Sequence, residues 1–157
     1  MQDRASIIGA GFTPGRRSVK TVPFVELTGG RVQGVISSGS DSARVYVAFF
    51  EAGTGHYSCG TNNNRPCGGL RGAPCKHIAG MLDEAILQFG AERVVEYLGL
   101  TRETEAIEDS GAIFKALRGS EKKEPPGILF SRFLNYLRYC ELPSNPGTVL
   151  EMGWFVS

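Results

Sequence analysis

Side chains alternate along residues 44–50: Val45, Val47 and Phe49 fall on one face, Arg44, Tyr46 and Ala48 on the other. That is the period of two expected of a strand. Residues 22–28 and Arg31–Ser37 also read as strands, parted by the short turn Gly29-Gly30, and 38–42 makes a further turn. A fourth strand at 56–59 follows the Gly-rich hairpin turn 51–55. The period then changes. Ile78, Met81, Leu82, Ala85, Ile86 and Phe89 recur at i, i+3, i+4 and i+7, which predicts a helix from about Lys76 to the stop at Gly90.

A second short helix is predicted over 91–98, ending at Gly99. Residues 101–117 are helix-prone but acidic, with a break expected at Ser110-Gly111. The stretch 119–127 reads as a solvated linker or turn, since its prolines stop a helix and its charges avoid burial. Residues 128–142 resume as a helix with a wide apolar surface that includes Leu129, Phe133, Leu137 and Cys140, and 149–156 reads as a last strand. Cys140 is expected to be a buried free thiol, remote from the other cysteines.

The fold class that follows is α+β: a small antiparallel β-meander clipped by a metal site to a helix, followed by a mainly helical C-terminal part. One sheet face is expected to pack on the helix after His77 and the other to stay partly exposed. Three regions result: a flexible arm over 1–20, a metal-binding β/α domain over 21–99, and a helical extension with its terminal strand over 100–157. Gly9-Ala-Gly11 in the arm is not a nucleotide fingerprint, because the third glycine and the strand-to-helix frame are missing.

Composition adds little to this except scale. At 157 residues and 41% hydrophobic content, the chain can bury a core as one domain with appendages. No apolar run approaches the ~20 residues of a membrane span, and residues 1–6 lack a secretory pattern. A soluble protein of the cytoplasm, or of another reducing intracellular compartment, is expected, with its thiols free for metal. Charge is uneven. Up to His77 there are nine Lys/Arg against four Asp/Glu, net +5; beyond it there are eight against twelve, net −4.

The chemistry is concentrated in residues 59–77, which hold three of the four cysteines and one of the two histidines among Gly, Asn and Pro. Cys59, Cys67, Cys75 and His77 form a donor set for one structural Zn²⁺. With so little apolar content between them, these loops need a metal to hold them. His56 is a rival fourth ligand to Cys67, although alternation turns it to the face opposite Cys59. The Cys75-x-His77 pair sits where a loop enters a helix.

The strand at 32–37, the hairpin, Cys59 and the Cys75-Lys76-His77-Ile78 start of a helix resemble the SWIM zinc fingers. Their pattern is Cys-x-Cys, a variable spacer, then Cys-x-His. The family's second cysteine would fall at Thr61, and Cys67 stands in its place as a candidate. The resemblance implies zinc binding and contact with protein or DNA.

No catalytic constellation stands out, and four protein ligands close a metal to water, so an enzyme is not expected. The favoured expectation is an adaptor or assembly subunit with a protein partner, using Trp154 and Phe155 as a contact. Nucleic-acid binding through Arg44, Arg65, Arg71, Lys76 and the Arg16-Arg17 arm is the alternative. A metal-dependent hydrolase comes third. No small-molecule substrate is indicated.

Overall fold

The computed structural model describes residues 21–38, 44–100 and 106–141. The N-terminal arm, the strand expected at 149–156, Trp154 and Phe155 lie outside the described residues, as does the side chain of Cys140. The architecture is α+β. Strands β1 (Phe24–Thr28), β2 (Arg31–Ser37), β3 (Val45–Glu51) and β4 (Tyr57–Thr61) form one antiparallel sheet in the order β1-β2-β3-β4. The β1–β2 turn is made by Gly29 and Gly30, whose φ angles of 59° and 73° lie in the left-handed region that glycine tolerates. Register pairs Val25 with Gly34 and Ala48 with Cys59.

Helix α1 (Lys76–Phe89) lies across one sheet face. Its Ile78, Met81, Leu82 and Ala85 close over Val25, Val32, Ile36, Ala48 and Phe50 in one buried core. The approach is close at Gly34: a Cβ there would stand 2.4 Å from the Phe24 carbonyl oxygen and 3.4 Å from Met81 Cγ. Helices α2 (Ala91–Tyr97) and α3 (Ser110–Ala116) add Val94 and Ile113 to this core. Tyr97 reaches back to the first turn, its hydroxyl accepting from Gly30 N and Arg31 N at 3.1 and 3.2 Å.

Three expectations need correction. Ser110-Gly111 does not break a helix but begins one. Asp109 is its N-cap and accepts from Ala112 N at 2.8 Å, and the Ser110 N–H donates to Asp83 at 2.8 Å. A short acceptor just ahead of Ser-Gly satisfies the free amides of a first turn, which outweighs the low propensity of the pair.

The second sheet face is not left partly exposed either. Helix α4 (Gly127–Glu141) covers it, packing Leu129 and Phe133 on Phe24, Val35 and Val47. The carboxylate of Glu26, 7% exposed, is held there by Gln33 Nε2 and by Arg132 at 2.9 and 3.1 Å.

The third concerns the stretch 119–127, which is no free linker. It docks along β4: Tyr57 N donates to Ser120 O at 3.2 Å, and Lys122 N to Tyr57 O at 2.7 Å, a parallel bridge. Its charges stay wet yet paired, Lys122 on Glu51 at 2.8 Å and Glu124 bidentate on Arg31 at 2.6 and 2.7 Å. Backbone docking and solvated side chains are compatible at a sheet edge, which composition alone does not reveal. Among the described residues, no helix is long and apolar enough to cross a membrane.

Candidate metal centre

Cys59 sits in the middle of β4, paired with Ala48 and 2% exposed. The loop after β4 doubles back on that strand. Thr61 exchanges bonds with Arg65, donating its N–H to Arg65 O at 2.8 Å and accepting from Arg65 N through its hydroxyl at 3.2 Å. Asn64 takes the left-handed turn position, with φ 59°. Cys67 N then donates to Cys59 O at 3.1 Å, which sets the two side chains together. Cys75 is the N-cap residue of α1, in extended conformation, and His77 is the second residue of the helix.

All four ligand atoms lie within 4.8 Å of one another, and all four residues are buried. His77 Nδ1 is 3.3 Å from Cys67 Sγ, 3.7 Å from Cys75 Sγ and 3.9 Å from Cys59 Sγ. A tetrahedral ion bound to sulfur at ~2.3 Å and to nitrogen at ~2.0–2.1 Å spaces such atoms about 3.6 Å apart. The cluster is therefore already the size of a coordination sphere and could hold one metal ion.

Its electrostatics suit a cation. The Cys59 thiol donates to the Cys75 sulfur and brings the Cys75 pKa down to about 4; the His77 ring and the backbone N–H groups of Ile78 and His77 assist, and burial opposes. Cys67 is brought down to about 6, again first by Cys59, with the Gly69 N–H at 3.3 Å and His77 adding to it. Cys59 is driven up, because its proton is shared with Cys67 and Cys75 and because it is buried beside their charge. His77 is raised: burial acts to lower it, but Cys75 and Cys67 outweigh burial. A dication held by these four residues would take the place of the shared protons, so its binding would release them.

One contact had no signal in the sequence. The Tyr46 ring stacks on His77, centroids 3.7 Å apart and planes within 15°. Alternation placed Tyr46 on the face of Ala48, but only the packing of α1 brings His77 over it. His56 is not part of the cluster: its Nδ1 accepts from Ser120 N and faces Ser120 Oγ, at 3.1 and 3.2 Å. Arg44, Arg65, Arg71 and Lys76 are all exposed, the last three on the loops and helix start that carry the ligands. The acidic residues nearest in sequence have other roles. Glu51 pairs with Arg31 and Lys122, Asp83 accepts from the Ser110 N–H at the start of α3, and Glu84 accepts from Gln88.

Comparison of the chain with protein-family models, with curated proteins and with solved structures finds no match.

Proposed function

We propose that the chain is a zinc-stabilised interaction module whose main partner is another protein, and that it is not an enzyme. The observation that carries this is the closed cluster of Cys59, Cys67, Cys75 and His77, four buried donors within 4.8 Å. Three sulfurs and one imidazole suit Zn²⁺ in a structural role, and a full set of protein ligands leaves no position for a reacting water. The metal would tie the β3–β4 hairpin to the start of α1. Engagement of Glu51, Asp83 and Glu84 elsewhere supports the non-catalytic reading.

The order of parts supports a SWIM-like finger: a hairpin carrying Cys59, then Cys75-Lys76-His77 opening a helix. Thr61, at the place of that family's second cysteine, instead braces the turn that returns Cys67 to the cluster. A second reading, nucleic-acid binding, is favoured by the exposed Arg44, Arg65, Arg71 and Lys76. It comes second because so few cations give modest, steeply salt-dependent affinity.

Elemental analysis of reduced protein tests the metal. One zinc per chain is expected, lost in Cys67→Ser and kept in His56→Ala; no zinc in the wild type would end the proposal. Titration with labelled duplex and single-stranded DNA tests the ranking of partners. Sub-micromolar binding at physiological salt, abolished by Arg65→Ala plus Arg71→Ala, would reverse it. Weak DNA binding, with a co-purifying protein lost when residues 154–157 are removed, supports it.

A further inference from the structure

The fold-back that gathers the cysteines also matches two of them as a pair. Cys67 N donates to Cys59 O at 3.1 Å and Thr61 N to Arg65 O at 2.8 Å, on either side of the antiparallel bridge Gly60–Pro66. Cys59 therefore stands directly opposite Cys67 across a short ribbon. Residues opposed in this way have Cα atoms about 5.5 Å apart, inside the ~4.4–6.8 Å that a disulfide spans. Both side chains leave the ribbon on one face, since both sulfurs approach His77 Nδ1, at 3.9 and 3.3 Å.

Cys75 is placed differently. It comes from the start of α1, and its sulfur accepts from the N–H groups of Ile78 and His77. No backbone hydrogen bond ties it to Cys59 or Cys67 among the described residues. Cys67 is the most exposed of the three, at 5%, and the exposed Gly68 and Gly69 that follow it bring no side chain over its sulfur.

We infer that Cys59 and Cys67 are a reversible oxidation site: a hydroperoxide joins them as a disulfide, and this opens the metal clip between β4 and α1. The Cys67 thiolate attacks one peroxide oxygen, so an S–O bond forms, the O–O bond breaks and hydroxide leaves. The Cys59 thiolate then attacks the Cys67 sulfenic acid, forming the S–S bond and expelling a second hydroxide. The two sulfurs lose two electrons, and the peroxide takes them. Cys75 and His77 are left two donors short of a closed tetrahedral set, so zinc is released. The metal loop stays fastened to β4, whereas residues 68–76, with Arg71 and Lys76, lose their anchor. Ile78, Met81 and Leu82 remain in the core, which keeps the change local. A dithiol reductant reverses it by thiol–disulfide exchange. This rests on the zinc reading above and adds the regulation of that site.

The test treats the full zinc-loaded chain with equimolar hydrogen peroxide at neutral pH. A chromophoric zinc indicator follows the metal, and peptide mapping by mass spectrometry, after alkylation and without reduction, locates the bond. One zinc is expected to leave per Cys59–Cys67 bond formed, with Cys75 recovered as the alkylated thiol. Trypsin should then cleave after Arg71 and Lys76 about tenfold faster or more. Dithiothreitol with added zinc should restore the metal and the slow cleavage, and a Cys140→Ser chain should behave as wild type. Zinc retained under excess peroxide, zinc lost without the bond, or a bond that joins Cys75 instead, overturns the inference. Unchanged tryptic cleavage after zinc loss overturns the opening of the clip. A reduced chain that holds no zinc, yet still forms the Cys59–Cys67 bond, overturns the metal reading beneath and leaves the pairing standing.

Discussion

Replacing Tyr46 by Leu removes the ring that lies on His77 while keeping apolar bulk over the same spot. Stacked within 15° at 3.7 Å, the phenol ring fixes the plane of the imidazole whose Nδ1 faces three sulfurs. An aromatic pair of this kind contributes about 0.5–1.5 kcal/mol beyond its buried area. At about 1.4 kcal/mol per decade, that predicts a fall in zinc affinity of roughly 2- to 12-fold. Losing the orientation of a ligand as well extends the range towards the ~10- to 100-fold typical of groups that position metal ligands. The assay is competition for zinc against a chromophoric chelator of known affinity, with Tyr46→Phe as control, because Phe keeps the ring and drops only the hydroxyl. The expected order is wild type equal to Tyr46→Phe, with Tyr46→Leu weaker by about tenfold. An unchanged Tyr46→Leu, or a Tyr46→Phe as weak as Tyr46→Leu, refutes the argument that the stacked ring orients His77.

Gly119→Ala places a Cβ 2.1 Å from the Gly55 backbone and should detach the 119–126 segment from β4, costing about 1–3 kcal/mol in urea unfolding; an unchanged midpoint would show the segment contributes nothing. Arg132→Ala strands the buried Glu26 carboxylate. Breaking a buried pair costs about 3–5 kcal/mol, but Arg132 is 46% exposed and partly screened, so about 2 kcal/mol is expected. Glu26→Gln with Arg132→Met should recover part of that loss. Acid should destabilise the fold through Glu51 and Glu124, held below the usual carboxylate range by Lys122 and by Arg31 respectively. A lowered folded-state pKa means their stabilisation is complete above about pH 4.5 and is lost as pH falls from there. Wild type should therefore lose more stability than Glu51→Gln plus Glu124→Gln over that window, and parallel curves would contradict the assignment.

Local pattern carried far in this chain. The alternation over 44–50, the Gly29-Gly30 turn and the i, i+3, i+4 spacing after Cys75 are short-range consequences of backbone geometry, and each appears within a residue or two of where it was expected. Cys59, Cys75 and His77 were legible for the same reason: a strand and a helix start are rigid frames whose side-chain directions follow from the sequence nearby.

Contacts across long separations were decided only by the tertiary structure. Choosing between Cys67 and His56 needed the fold-back of Thr61 on Arg65, and the docked segment that gives His56 a partner 64 residues away at Ser120. Burial of both sheet faces needed α4, which alternation in β3 permits but does not demand. The charged stretch 119–127 looked like linker by composition, because composition reports what side chains prefer and says nothing about where backbone N–H and C=O groups find partners. Tyr57, at the edge of β4, offered those groups to Ser120 and Lys122, and an unpaired strand edge accepts a backbone of almost any sequence.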